Sequence, residues 1–389
     1  MKIESLAIRN YKVFKDVQVN DIPNMAVFLG KNGAGKTTFF DVFGFLHDCL
    51  IGNVRIAIQK RGGFSEVRSR DQEGDIYFKI QFRPNPDEPL ITYEISIGLD
   101  EDKKVIVRSE ILRMRRGQSG KPWKILDFKN GEGVAAEGEL ETYEDVQLAK
   151  RTPQKLDSAD ILAIKGLGQF KNFVAVNKFR MLIEDWYVAD LRIDSARERQ
   201  ESMYSPQLSR TGDNLAVVTK YLFENYPERF QVILEKMKQR VPGVCNVEAK
   251  ATDDGYIILR FQDGRFENPF SAKFVSDGTI KMFTYLVLLN DPEQHALLCI
   301  EEPENQLYPA LLAELAEEFR QYAQNGQVFV STHSPDFLNA IELDEIFVLQ
   351  KSDGYTTIKK ASESVLALSL FNAGDKPGTL WKQGLLEKN

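Results

Sequence analysis

The sequence predicts an α/β fold with a mostly parallel core sheet, an antiparallel β subdomain and an inserted helical region. Three observations carry this prediction. The apolar run MAVFLG (25–30) opens into GKNGAGKT (30–37) and then into a helical pattern. Residues 75–115 alternate apolar and polar side chains, the period of an antiparallel sheet with one buried face. From residue 279 onward, helical and strand patterns take turns, which builds a parallel sheet covered by helices.

The elements follow in order. Ile3, Leu6 and Ile8, then Val13, Val17 and Val19, mark two antiparallel strands. MAVFLG is apolar throughout and suits a strand buried on both faces. Over 36–51, Phe39, Val42, Phe43 and Leu46 share one helical face. DIYFKIQF, ITYEISIGL and KVIVRSEILRM supply the alternating strands. Residues 129–147 are polar and glycine-containing, which reads as a loop or mobile lid. Residues 158–182 and 213–240 read as helices, with Asp213 as a cap and VPGV (241–244) as a stop. Strands return over 245–262. Helices at 279–290, 310–324 and 335–341 then alternate with strands at 296–300, 327–332 and 345–350. The boundaries are one α/β domain from 1–124 and 245–389, interrupted by a mainly helical insertion at 125–244. No internal repeat or long heptad run is present, so no coiled-coil arm is expected.

Composition narrows the function classes. The 389 residues are 43% hydrophobic, enough for one large core or two smaller ones. Cys49, Cys245 and Cys299 lie far apart without metal-ligand spacing, which fits a reducing cytoplasm rather than a disulfide framework. The N-terminus lacks the apolar core of a signal peptide, and no apolar run is long enough to span a bilayer. The expected location is cytoplasmic, with no membrane partner. A formal charge of −7 argues against a protein that coats nucleic acid, although a local basic groove stays open.

Four motifs carry chemistry. Gly30, Lys31, Asn32, Gly33, Ala34, Gly35, Lys36, Thr37 and Thr38 form and follow a complete phosphate-loop pattern between a buried strand and a helix. Its glycines let backbone N–H groups face a phosphate, and the helix N-terminus adds positive potential. Lys36 is placed for the β- and γ-phosphates of ATP, and Thr37 for Mg²⁺. In HALLCIEEPENQLYP (295–309) an apolar strand runs into Glu301 and Glu302. Two adjacent carboxylates at a core edge repel unless positive charge sits beside them. A metal offsets one, so Glu301 reads as the Mg²⁺ ligand and Glu302 as the base that polarises a water. In STHSPDFL (331–338), His333 ends the next strand, where it can face a γ-phosphate. In FVSDGTIKMF (274–283), Ser276, Asp277, Gly278 and Thr279 open a helix. Taken alone, SDGT also reads as an ordinary capped turn.

The order of these pieces resembles the motif series of ABC-type ATPase heads. The resemblance is to the RecF/SMC/Rad50-like branch, and within it to overcoming-lysogenization-defect-like predicted ATPases, which pair IEEPE…LxP with STHSP. It covers about residues 1–60 and 270–389 strongly and the middle loosely. It implies a P-loop NTPase fold with an ABC-type head, and an ATPase using ATP and Mg²⁺. It assigns Ser276–Thr279 as a signature offered to a second protomer's ATP and Asn305–Pro309 as a dimer-contact loop. A metal-sensing glutamine follows the first helix in such heads, and Gln59 is the candidate. Glu301 stands where most such heads have Asp, and VSDGT where transporters have a double glycine. Many relatives serve bacterial antiviral defence as the ATPase of PARIS-like or Septu-like systems. The implied partners are a second copy in an ATP sandwich and a separate effector such as a Toprim-type nuclease, since no such domain fits after His333. A RecF-like DNA clamp is the alternative. It would use Arg108, Arg113, Arg115, Arg116, Lys121, Lys124, Arg192, Arg197 and Arg199, a charge set that also suits a solvated surface. A transporter subunit fits least, given the long stretch between phosphate loop and signature.

Overall fold

The structure, a computed structural model, describes residues 2–85, 87–116, 120–138 and 149–387. In chain order the strands are β1 (Lys2–Tyr11), β2 (Phe14–Val19), β3 (Met25–Leu29), β4 (Ile76–Arg83), β5 (Ile91–Leu99), β6 (Val105–Arg116), β7 (Gly120–Lys129), β8 (Glu132–Ala136), β9 (Arg151–Lys155), β10 (Trp186–Ala189), β11 (Gln200–Glu201), β12 (Val244–Ala251), β13 (Tyr256–Asp263), β14 (Phe270–Ser271), β15 (Leu297–Glu301), β16 (Gln327–Thr332), β17 (Ile346–Ser352) and β18 (Tyr355–Lys360). The helices are α1 (Lys36–Ile51), α2 (Val54–Gln59), α3 (Phe64–Val67), α4 (Ala163–Leu167), α5 (Val174–Glu184), α6 (Ile193–Ala196), α7 (Leu215–Asn225), α8 (Pro227–Arg240), α9 (Asp277–Leu289), α10 (Leu312–Tyr322), α11 (Pro335–Leu338), α12 (Val365–Asn372) and α13 (Pro377–Lys382).

The chain forms two compact units. One comprises Met1–Trp186, Glu342–Asp375 and Gln383–Asn389; the other comprises Tyr187–Ile341 and Lys376–Lys382. In the first unit an antiparallel sheet runs in the order β2-β1-β4-β5-β6-β7-β8-β9. Strand β3 pairs in parallel with β17, and β17 pairs antiparallel with β18. The core beneath is aromatic: Phe28 stacks on Phe347, and Phe39, Phe40 and Phe43 of α1 pack beside it. The helical stripe seen in the sequence, Phe39, Val42, Phe43 and Leu46, is buried throughout.

In the second unit β15 and β16 pair in parallel with Glu301 opposite Ser331. Both strands are buried along almost their whole length, with the apolar runs LLCI and VFV within them. Helix α9 is buried from Thr279 to Leu289, and Tyr285 meets Phe319 of α10 edge-on. The strands expected over 245–262 are β12 and β13, which pair antiparallel.

Three local expectations are corrected. The helical insertion over 125–244 meets strands β7, β8 and β9, which extend the antiparallel sheet into that range. Residues 132–136 of the presumed loop are strand β8, and residues 139–147 lie outside the described residues. Asp213 does not cap a helix: α7 starts at Leu215 after Asn214, and the Asp213 carboxylate takes a hydrogen bond from the Ser209 hydroxyl.

Candidate functional site

In the first unit, the fully buried strand β3 delivers the chain to Gly30. A side chain there would sit 2.9 Å from the Leu349 carbonyl oxygen of β17, so the backbone passes only as glycine. Gly33 and Gly35 adopt φ of +79° and +100°, the left-handed region that glycine enters without steric cost. Gly35 also lacks room, because a Cβ would meet Val13 Cγ2 at 3.0 Å and Thr356 Oγ1 at 3.1 Å. The Thr356 hydroxyl donates to the Ala34 carbonyl at 2.9 Å. Lys36 opens α1, and its buried ammonium folds back to donate to the Gly30 carbonyl at 2.8 Å. The loop is thus closed around its own lysine. Lys31 and Asn32 are exposed, and the Lys31 ammonium pairs with Glu387 at 2.7 Å.

Thr37 is exposed in the first turn of α1. Thr38 beside it lines a cavity of about 410 Å³ together with Val13, Tyr355 and the cations Lys12, Arg68 and Lys351. Arg70 and the acids Glu66, Asp71 and Asp353 line it too, so its walls carry both signs of charge. The turn between β1 and β2 that borders it is held by Asp41 of α1. The Asp41 carboxylate accepts from Tyr11 at 2.7 Å, from Lys12 at 2.5 Å and from Arg61 at 2.8 Å. Burial alone would raise Asp41, but Arg61, with Lys12 and Tyr11, holds it below the ordinary carboxylate value. Sequence reasoning passed over this network. Its signal was an acid one helical turn into α1 facing two strand-turn residues. Gln59 is exposed at the end of α2, where its carbonyl accepts from the Gly62 N–H at 3.1 Å.

In the second unit, the two glutamates separate at once. Glu301 is the last residue of β15. Glu302 turns into a left-handed conformation, φ +43°, while its N–H donates to the Ser331 carbonyl at 2.8 Å. Its carboxylate accepts from the Asn305 side chain at 3.0 Å and lies 3.4 Å from His333 Nδ1. Glu304, which sequence reasoning left without a role, anchors the end of β16. It accepts from the Thr332 hydroxyl at 2.7 Å and from the His333 N–H at 3.0 Å. The structure therefore brings Glu302, Glu304 and His333 together at the tips of adjacent parallel strands.

The helix start at Ser276 is part of the same cluster. Ser276 caps α9 by accepting from the Thr279 N–H at 3.3 Å. Asp277 pairs with Arg197. Gly278 passes the loop after Glu302 so closely that a Cβ would lie 2.8 Å from the Gln306 carbonyl oxygen. Lys281, a second residue missed in the sequence, donates to the Asn305 carbonyl at 2.6 Å. Burial pushes its ammonium down to about 8, against the opposing pull of Glu304 and Glu302. Flanking this face, Phe274 is 82% exposed and Tyr308 72% exposed.

An Mg²⁺ ion takes oxygen ligands and keeps several waters and phosphate oxygens. Thr37 and Glu301 are suitable oxygen donors. Among the described residues no group of three or more His, Cys, Asp or Glu could hold a metal ion.

Known proteins resemble the chain along nearly its full length. It is 23% identical over 405 residues to the DNA replication and repair protein RecF of Streptococcus agalactiae, covering 93% of this chain and 100% of that protein. An ATP/GTP phosphatase of Helicobacter pylori is 23% identical over 378 residues, covering 91% of this chain and 94% of that protein. Among solved structures, an Smc head bound to the C-winged helix domain of ScpA superposes with a TM-score of 0.59 at 12% identity, covering 92% and 98% of the two chains. The Pyrococcus furiosus Smc head with an extended coiled coil, bound to the C-terminal domain of ScpA, gives 0.53 at 11% identity, covering 95% and 98%. These likenesses establish the SMC-head type of P-loop ATPase fold. Residues 25–339, from the strand that enters the phosphate loop to the helix after His333, match the family described as "AAA domain, putative AbiEii toxin, Type IV TA system", and the chain belongs to that family.

Proposed function

We propose that this chain binds ATP with Mg²⁺, hydrolyses it with Glu302 as general base, and through ATP-dependent pairing of two copies controls a separate nuclease or toxin in bacterial antiviral defence. The coarser statement, an AAA ATPase of RecF/SMC/Rad50 type, follows from family and fold. The observation that carries the proposal is the preformed anion cradle, with Gly33 and Gly35 left-handed and Lys36 folded onto Gly30. Anion-binding loops at helix N-termini are built this way. Lys36 binds the β- and γ-phosphates. Thr37 and Glu301 are the donors for Mg²⁺, which when bound neutralises charge on the phosphate oxygens. His333 senses the γ-phosphate, and Ser276–Thr279 meet the ATP of a second copy. The exposed Phe274 and Tyr308 beside that signature support self-association. A separate partner polypeptide is supported by the solved Smc heads, which carry ScpA domains.

Several of the nine basic residues singled out in the sequence stand in ion pairs among the described residues. Arg113 pairs with Glu94, Lys124 with Asp127, Arg192 with Asp190, Arg197 with Asp277 and Arg199 with Asp254. A RecF-like DNA clamp is the second reading, supported by the likeness to RecF. Phosphate release and light scattering test the proposal together. The natural chain hydrolyses ATP and pairs in its presence. Lys36→Ala does neither. Glu302→Gln binds ATP and pairs, yet turns over about 10²–10⁴-fold more slowly. Tight ATP binding by Lys36→Ala, or a natural chain without turnover, refutes the proposal. Duplex DNA binding that falls steeply with salt would transfer the reading to the clamp.

A further inference from the structure

Helix α9 is buried along its whole length from Thr279 to Leu289, yet it carries Lys281. An ammonium in such a place destabilises the fold unless acceptors meet it. One does: the Asn305 carbonyl, 2.6 Å from Nζ. Gly278 lies three residues earlier, on the same helical face, and there the bare glycine backbone lets the Gln306 carbonyl approach. The Gly278–Lys281 face of the helix is thus seated on two consecutive carbonyls of the loop that follows Glu302.

Asn305 in turn holds Glu302 from two sides. Its backbone N–H donates to the Glu302 carbonyl at 3.1 Å, and its side-chain amide donates to Glu302 Oε2 at 3.0 Å. Glu302 and Gln306 both have left-handed backbones, with φ of +43° and +67°. Such conformations persist only where the surroundings fix them, and they gather at functional sites. The pieces form one chain of contacts: signature helix, Lys281, Asn305, Glu302.

We propose that Lys281 is a positioning residue for ATP hydrolysis, holding Asn305 and through it the Glu302 carboxylate, so that the signature helix and the general base move as one body. The inference rests on the assignment of Glu302 made above. Lys281 itself touches neither nucleotide nor water in this scheme. A signature helix displaced when a second copy's ATP docks on it would carry Asn305 along and re-aim the base.

The test uses the full chain and steady-state ATP hydrolysis. Lys281→Met keeps the length and removes the donor. Asn305→Ala, at an exposed position, removes only the side-chain link to Glu302. Each variant is expected to lower kcat about 10- to 100-fold, the scale on which small misplacements of reacting groups act, with KM for ATP unchanged. The distinguishing readout is the same pair of substitutions in the Glu302→Gln background. There neither is expected to lower kcat further, because the group being positioned is already gone. An unchanged kcat in the single variants overturns the proposal. So does a repeated loss of the same size on top of Glu302→Gln, which would show that Lys281 acts elsewhere. If Lys281→Met does not fold, Lys281→Gln, shorter and uncharged, takes its place in both backgrounds. A Glu302→Gln chain with normal turnover removes the Glu302 assignment itself. A slow Glu302→Gln beside a normal Lys281→Met removes only the positioning role.

Discussion

Replacing Glu318 with alanine tests how the helix that follows the Glu302 loop is anchored. Glu318 lies on α10, its side chain only 2% exposed, and accepts from Lys236 and Arg240 of α8. Arg240 also reaches Glu314 at 3.2 Å. One buried carboxylate therefore serves two cations, themselves only 20% and 11% exposed. Alanine leaves both cations facing the space the carboxylate filled. Breaking a buried pair from one side costs about 3–5 kcal/mol. Lys236 recovers some hydration and Arg240 keeps Glu314, so the expected loss is at the lower end, about 3 kcal/mol. Urea unfolding with an unchanged slope and a lowered midpoint measures it. The combined variant Lys236→Met, Glu318→Leu, Arg240→Met should recover most of the loss, because an apolar replacement of a whole buried ion cluster is often neutral. A single Glu318→Ala variant within about 0.5 kcal/mol of the natural chain, the usual range of surface substitutions, would refute the reasoning. It would mean that solvent already screens the cluster.

Three further outcomes are expected. Glu110 is buried on β6, accepts from the Ile164 N–H at 3.0 Å and from Tyr93 at 3.1 Å, and burial raises it from 4.5 to about 7 despite those bonds. Its contribution to stability is complete below pH 4.5 and is lost as pH rises through 7, about 3 kcal/mol in all; Glu110→Gln should flatten urea midpoints measured between pH 5 and 7, and an unchanged slope against pH counts against the assignment. Gly278→Val places a side chain against the Gln306 carbonyl and should abolish turnover while leaving ATP binding intact; mixing it with Lys36→Ala chains should restore part of the activity, and no recovery despite proven subunit exchange speaks against a site shared between copies. Leu298→Ala, at a fully buried position of β15, should lower stability by about 2–5 kcal/mol in urea unfolding, and a smaller loss would show that the cavity collapses.

Much of the fold was legible because its signals are local. The limits of α1 at Lys36 and Ile51 follow from a glycine loop before it and an uninterrupted apolar stripe within it. Strands β15 and β16 were legible from the short apolar runs LLCI and VFV within them. Strands β7, β8 and β9 were not. Segments such as EGVAA and RTPQK lack clear alternation and are strands because a neighbouring strand supplies their hydrogen bonds. The site divided along the same line. The glycine and lysine spacing of GKNGAGKT matches a phosphate-loop pattern without any structure. The roles of Glu304 and Lys281 depend on which carbonyls and hydroxyls come near, which no spacing encodes. Lys281 did leave a trace, as the one cation in an otherwise apolar helix with no solvent-facing side. Asp213 shows the opposite error: an acid near a helix start that bonds backward to Ser209 rather than forward into the helix.

The last strand of the long antiparallel sheet has a consequence for how the molecule tolerates crowding. Strand β9 pairs only with β8 among the described residues, and it reads Arg-Thr-Pro-Gln-Lys. Pro153 has no N–H to offer an incoming strand, and Arg151 and Lys155 put like charges along the border. Borders of this composition discourage edge-to-edge stacking, the route by which exposed sheets recruit further chains into aggregates. The sheet can therefore be long and open-ended without seeding fibres.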